Sequence, residues 1–402
     1  AGADFIHVSG GTTIKRGSSI PAPGTKQGSH ALLAEEIKKH VNIPIASVGR
    51  ITEPWIADEL IANGKTDICM IGRANLCDPE FVNKAMEGNE MDIRPCIGCL
   101  RCLNGIMFGK RVACSINPSL ELENEDTIKE ANQKKNVLVI GGGPAGMEAA
   151  YVAKKRGHHV VLCEAENDLG GQLNIAAVPI AKQDLTKVTQ YMRRKLQHAG
   201  VEIRLSTPVT KEMLENEFAG YEVIAGTGAK PIIINAFTGF KQWMSADDIL
   251  AGKAVSGRKV VIIGGGSVGC ETADYLAPLV NDRFPRNKAI TILEMADEII
   301  MNESGPGRSL LVQRMMSKGV EVVCKAKVTK VDETNIWYEK DGQEHCICDA
   351  DTLVFAAGYR IDPAMENMLE EANTHYHIIG DAEKVGNIKD AIHRGYEIAK
   401  DI

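Results

Sequence analysis

The chain has 402 residues, a formal net charge of -7, 44% apolar and 25% charged residues, the profile of a globular protein of two or three domains. No apolar run reaches the roughly 20 residues that span a bilayer, and the opening AGADFIHVSGG lacks the basic flank and cleavage site of a leader. No basic stripe is present to neutralise a phosphate backbone, so the expectation is a cytoplasmic protein with small-molecule partners, without nucleic acid or membrane.

In chain order, the first region alternates the β-like runs ADFIHVSGG, IPIASVG and TDICMIGRA with the helical stretches SHALLAEEIKKHV, EPWIADELIANG and DPEFVNKAMEG. That order predicts three parallel βα units. A closed (β/α)₈ barrel needs eight strands, so either the sheet is open or its beginning is missing; the start at the foot of a strand without an initiator Met favours the second. His7, inside the first apolar strand, is expected as a packed core histidine.

RPCIGCLRC follows. Cys96, Cys99, Cys102 and Cys114 are spaced C-x2-C-x2-C-x11-C. Three closely spaced thiolates on a tight loop can hold three corners of an iron–sulfur cubane, with a fourth from a nearby segment. A Cys₄ zinc site is the rival, although zinc usually takes two separated C-x2-C pairs. Eleven cysteines, an odd number over a long chain, read as reduced thiols. Cys69, Cys77, Cys163, Cys270, Cys324, Cys346 and Cys348, single or as C-x-C, are expected to be buried structural thiols.

Residues 115–135 are polar and charge-rich and read as a connector. Beyond it, NVLVIGGGPAGMEAA opens a second α/β region, and KVVIIGGGSVGCETA repeats the device 123 residues later. Gly141, Gly143 and Gly146 follow an apolar strand and open a helix, which aims N–H groups and a positive dipole end at a pyrophosphate. Glu164, closing the next strand, is placed to accept hydrogen bonds from a ribose. Gly264, Gly266, Gly269 and Glu294 repeat the arrangement, and the carboxylate there favours NADH over NADPH; Arg283 and Arg286 lie in the intervening loop, within reach of a phosphate if it folds over.

YEVIAGTGAKP and DTLVFAAGYRID each carry an apolar strand ending in small residues, suited to a chain that leaves one nucleotide domain and returns to it. Near the end, HIIGDAEK sets Asp381 at a strand terminus before a helix start with free N–H groups. A carboxylate there can hold the ribityl hydroxyls of a flavin, or simply cap the helix.

In combination, VGRI, IGRA and DPEF, then RPCIGCLRC with Cys114 and INP, then GGGPAGMEAA, LGGQLN and GD resemble the iron–sulfur flavoenzymes related to old yellow enzyme. That family includes 2,4-dienoyl-CoA reductase, 2-enoate reductase, bile-acid-inducible steroid oxidoreductases and trimethylamine dehydrogenase. The resemblance covers essentially the whole chain. It implies the C-terminal portion of an FMN-binding (β/α)₈ barrel over 1–94, an iron–sulfur loop and linker over 95–134, an FAD-binding Rossmann-like domain over 135–228 and 350–402, and an NAD(P)H-binding one over 229–349.

By the same resemblance Gly49, Arg50, Gly72 and Arg73 are FMN phosphate ligands, and Gln172, Lys182 and, through its backbone, Val209 contact FAD. Arg50 taken alone reads equally as a salt-bridge residue. The implied cofactors are FMN, FAD, a 4Fe–4S cluster and NAD(P)H. The implied activity is reduction, or formation, of an activated C=C bond in an enoate, enone or enoyl-CoA, including steroid-like ones, by electron relay from NADH through FAD and the cluster to FMN. The alternatives are an amine dehydrogenase or demethylase that passes electrons to a partner protein, and a truncated chain serving only as an electron-transfer module. A homo-oligomer is compatible with all of these. No dithiol of the disulfide-reductase kind is found between 135 and 400. Catalytic acid–base residues are expected in barrel strands this chain does not contain, and the loop TTIKRGSSIPAPGTKQGSH, on what the resemblance makes the substrate side, is expected to be a lid facing the substrate.

Overall fold

The computed structural model describes residues 2–11, 19–107, 109–120, 122, 128–277, 288–301 and 306–402. Arg283, Arg286 and the early part of the expected lid loop lie outside the described residues. Short runs of β-branched and apolar residues give β1 (Ile6–Val8), β2 (Ile45–Ser47) and β3 (Ile68–Cys69), with α1 (Ala31–Lys38) and α2 (Pro54–Ala62) between them. The strands are parallel in the order β1-β2-β3, with Ile6 opposite Ile45 and Ala46 opposite Ile68.

Central β2 is buried throughout, as a parallel strand flanked on both sides must be. Edge strand β1 alternates instead. Val8 is buried, but His7 on the opposite face is exposed, which corrects its expected place in the core. Proline opens α2, where its missing N–H costs no hydrogen bond. Leu32, Leu33, Trp55 and Ile61, on α1 and α2, are exposed. After β3 the chain makes α3 (Arg73–Cys77) and α4 (Phe81–Met86), the latter anchored by fully buried Phe81.

The thiol segment contains α5 (Arg101–Met107). Then β4 (Asn136–Ile140), α6 (Pro144–Lys155) and β5 (His159–Cys163) form the first strand–helix–strand unit, followed by α7 (Gln172–Ala176), α8 (Asp184–Ala199), β6 (Glu202–Arg204), α9 (Lys211–Glu215) and β7 (Glu222–Ala225).

Further along come β8 (Ala229–Pro231), β9 (Trp243–Ser245), α10 (Ala246–Leu250), β10 (Lys259–Ile263), α11 (Ser267–Leu276), β11 (Ala289–Leu293), α12 (Pro306–Ser317) and β12 (Glu321–Val323). An antiparallel meander follows: β13 (Lys327–Val331), β14 (Ile336–Lys340) and β15 (Gln343–Ile347). The chain finishes with β16 (Thr352–Phe355), β17 (Tyr359–Ile361), α13 (Ala364–Glu371), β18 (Tyr376–Ile378) and α14 (Ile388–Asp401). No helix among the described residues is long and apolar enough to cross a membrane.

Two five-stranded sheets, ordered β18-β7-β4-β5-β6 and β12-β11-β10-β16-β9, are parallel throughout, and their central strands are apolar runs buried on both faces. The chain divides into two compact units. One holds Ala1–Asn174, Asp184–Ala229 and Ile361–Ile402, the other Ile175–Gln183 and Lys230–Arg360. Residues 350–360, expected with the first nucleotide-binding region, fold with the second, because β16 is the parallel partner β10 needs on its other side. Cys346 and Cys348, expected to be buried, are exposed at the end of β15, an edge strand covered on one side only, with their Sγ atoms 3.4 Å apart.

Candidate functional site

Cys96 and Cys99 stand on the loop before α5, Cys102 lies inside that helix, and the chain then doubles back. Lys110 N–H bonds to Gly105 O at 2.8 Å, and an added Cβ on Gly105 would stand 2.7 Å from Arg111 O, so only a residue without a side chain permits this return. The reversal delivers Cys114 to the same cavity as the other three, lined also by Arg73, Cys77 and the apolar Leu76, Ile97, Leu100 and Ile116. Cys99 is the most outward-facing of the four.

Burial pushes the Cys96 thiol up to about 11 and raises that of Cys102. Cys114 moves the other way, to about 6, first through a hydrogen bond from the Cys77 thiol and then through the N–H groups of Ile116 and Asn117, against the effect of burial. Buried thiols of this kind ionise when a cation takes the proton's place. Four sulfurs from two chain segments in one apolar cavity are a donor set that fits an iron–sulfur cubane.

Cys77 is the residue the sequence reading missed. It was expected to be an inert core thiol, and is fully buried, yet it lines the cluster cavity. No local signal distinguishes it, because it arrives from α3, a helix of five residues after β3.

The residues expected at a flavin phosphate lie close by in the same unit. Gly49 and Arg50 both have left-handed backbone, with φ of 137° and 56°, a conformation costly for arginine and held only where the surroundings demand it. The Arg50 guanidinium donates to Thr25 O and to Asp184 of α8, so in this structure it is a salt-bridge residue. Arg73 opens α3 directly after Gly72. Among the described residues, Ser29 Oγ, Arg50 Nε and Arg73 Nη1 are buried polar atoms without a protein partner. Such orphans fit an anionic group with several acceptor oxygens.

Around the first glycine loop, the third glycine is a packing requirement: an added Cβ on Gly146 would stand 1.9 Å from Gly141 O. Nothing lies within 4 Å of one on Gly143, which caps α6 with no side-chain hydrogen bond. Helix N–H groups therefore face open space, the geometry that accepts a pyrophosphate. Glu164 takes Gly142 N–H on Oε2 at 2.6 Å and Glu166 N–H on Oε1 at 2.8 Å. A carboxylate has about four acceptor positions, so two remain for ribose hydroxyls.

Gly171 abuts Gly143, which sets Gln172, at the start of α7, beside the turn. Val209 is buried in the core beneath the sheet, so its backbone is what it can offer a ligand. Gly380 lies against Ala145 in the first turn of α6 and brings its neighbour Asp381 there; burial raises the Asp381 carboxyl. Asp381 accepts from Gly386 N–H at 3.0 Å and does not cap α14. The start of α14, expected to have free N–H groups, is instead capped: Asn387 accepts from Lys389 and Asp390 N–H, and Asp390 bonds back in a capping box.

Lys182, expected near the same cofactor, folds with the second unit, where it forms an ion pair with Glu271 of α11. The second glycine loop repeats the first in detail. An added Cβ on Gly269 would stand 2.0 Å from Gly264 O, and one on Gly266 would meet nothing within 4 Å. Glu294 takes Gly265 N–H on one oxygen and Ala296 N–H, at 2.7 Å, on the other.

The profile of the pyridine nucleotide-disulphide oxidoreductases matches residues 135–383, and that of the NADH:flavin oxidoreductase / NADH oxidase family matches residues 6–92. These two families carry FAD, NAD(P)H and FMN. A NADH oxidase of Thermoanaerobacter brockii is 36% identical over 99% of this chain and 61% of its own length. A cinnamate reductase of Clostridium sporogenes is 35% identical over 100% of this chain and 60% of its own. The structure of a 2-naphthoyl-CoA reductase with 2-naphthoyl-CoA superposes with a TM-score of 0.91 at 26% identity, covering 99% of this chain and 60% of the other. The chain therefore spans about 60% of the length of the relatives it matches. It belongs to the oxidoreductase family that joins an NADH:flavin oxidoreductase barrel region to a pyridine nucleotide-disulphide oxidoreductase region, the family of the 2-enoate and dienoyl-CoA reductases.

Proposed function

We propose that this chain is part of an NAD(P)H-dependent flavin and iron–sulfur oxidoreductase that reduces, or in reverse forms, an activated C=C bond in an enoate, enone or enoyl-CoA. The observation that carries the reading is the meeting of Cys96, Cys99, Cys102 and Cys114 in one cavity of a chain that also holds two strand–glycine–helix units. When bound, NAD(P)H, FAD, the 4Fe–4S cluster and FMN supply hydride and single-electron transfer to the double bond.

The chain's own residues bind and orient. The four cysteines hold the cluster, and apolar Leu76, Ile97, Leu100 and Ile116 limit water around it. Gly141, Gly143 and Gly146 leave room for the FAD pyrophosphate, Glu164 accepts from its ribose, and Asp381 stands beside the α6 N-terminus for the ribityl hydroxyls. Gly264, Gly266, Gly269 and Glu294 do the same for NADH, because a second anionic phosphate on the ribose would meet the Glu294 carboxylate. Gly49, Gly72 and Arg73, with the unpartnered Arg50 Nε, receive the FMN phosphate. No acid or base toward the substrate is assigned among the described residues. Reduced thiols and a cluster suit the cytoplasm.

The test is anaerobic purification followed by iron, acid-labile sulfide and flavin analysis, then titration with NADH. The reading expects about four irons and four sulfides per chain and bleaching of the flavin by NADH. Zinc at the loop in folded protein without sulfide overturns it. Flavin reduced by an amine but not by NADH would replace it with amine dehydrogenation.

A further inference from the structure

We infer that Cys77 serves the cluster site as an S–H donor to the sulfur of Cys114, and that this bond raises the reduction potential of the cluster. The inference rests on the cluster reading above and deepens it. Cys77 lines the same cavity as the four candidate ligands, Cys114 among them, and has no exposed surface.

Its position is held from two sides. Arg94 Nη1 donates to Cys77 O at 3.2 Å, and Asn117 Nδ2 donates to Leu76 O at 3.2 Å, tying the end of α3 to the segment that carries Cys114. Away from water, the cysteine sulfurs that line this cavity are the acceptors open to the thiol hydrogen. A cubane takes one thiolate per iron, and the four closely spaced cysteines already supply them, so Cys77 is left as a neighbour of a ligand.

A second donor serves a different ligand: Ser115 Oγ lies 3.3 Å from Cys99 Sγ. With thiolate at Cys99, the hydroxyl is the donor. Hydrogen bonds to ligand sulfur draw off negative charge and favour the more negative, reduced state of the cluster. Cys77 is thus a positioning and tuning residue that acts through Cys114.

The experiment compares wild type, Cys77→Ala and Cys77→Ser, each reconstituted anaerobically with iron and sulfide, by redox titration followed by electron paramagnetic resonance. Alanine keeps the helix and removes the whole thiol, so the serine variant, with a donor of smaller size, separates the lost hydrogen bond from the lost volume. With full iron and sulfide content, Cys77→Ala should show a more negative midpoint potential, reduction being up to about tenfold less favourable, or about 59 mV for a one-electron couple. Cys77→Ser, which restores a donor, should lie closer to wild type than alanine does. An unchanged potential in fully loaded Cys77→Ala overturns the inference and leaves the cluster reading standing. Loss of iron from both variants makes Cys77 a ligand or a packing residue and also overturns it. Wild type without iron and sulfide overturns the cluster reading and the inference together.

Discussion

The two glycine-loop regions, β4–α6–β5 and β10–α11–β11, share their backbone contacts almost atom for atom, yet they treat the acid behind the loop differently. Glu148 and Glu271 stand at the same offset from the first glycine, and each has a lysine partner. Glu148 and Lys195 are nearly sealed off, at 4% and 10% side-chain exposure and 2.8 Å apart, with the ammonium 3.8 Å from the centre of the Tyr151 ring. Burial draws the Lys195 ammonium down to about 8, opposed by the Glu148 carboxylate. Glu271 and Lys182 are at 10% and 34% exposure. A motif dictates the path of the backbone, then, but the solvation of a polar group behind it depends on which element packs there: the long amphipathic α8 on α6, and the short segment 175–183 beside α11.

The largest expected consequence is at Lys195. Lys195→Met leaves the Glu148 carboxylate buried without its counter-charge and should cost about 3–5 kcal/mol in urea unfolding; a loss under 1 kcal/mol would erase the contrast between the two regions. Next come the third glycines. Gly146→Ala and Gly269→Ala each drive a methyl into a backbone carbonyl, and about 1–3 kcal/mol of overpacking strain is expected in each. Flavin content should drop only in the first and KM for NADH rise only in the second, so equal effects on both readouts would show that the loops do not serve separate nucleotides.

A smaller effect separates the strand-end acids. Glu294→Gln removes the charge that opposes a 2′-phosphate and should lower the ratio of KM for NADPH to KM for NADH by about tenfold, the worth of an interaction with a charged group. Glu164→Gln should leave that ratio unmoved. Lys182→Met is expected to cost no more than about 1 kcal/mol, because its ammonium is partly solvated. Measured beside Lys195→Met in the same denaturant, it gives the difference that burial makes.

Much of this arrangement is legible in the sequence. An apolar strand running into a glycine triplet and a helix has few alternatives, since the close approach of Gly146 to Gly141 O leaves no room for another residue, and the parallel sheets follow from strands buried on both faces. The expectation for His7 fails because an apolar neighbourhood does not say which face of a strand is covered. The expectation for Cys346 and Cys348 fails because strand-like residues on an edge have only one side against protein. The capped start of α14 does have a signal in the sequence, Asn387 and Asp390 at capping-box spacing, which the expectation of free N–H groups passes over.

What the sequence determined alone is local: which residues turn, which strands alternate with which helices, and which four cysteines are near enough along the chain to share a ligand. Those properties depend on backbone sterics and on contacts a few residues apart. The tertiary structure decided the rest, because it concerns groups distant along the chain. It brought the Cys77 thiol to the cavity of Cys114, turned Arg50 toward Asp184, sent Lys182 to Glu271, and sealed Lys195 over Glu148. Each of those outcomes is fixed by how helices and strands pack, and packing determines which charges and thiols lose their water.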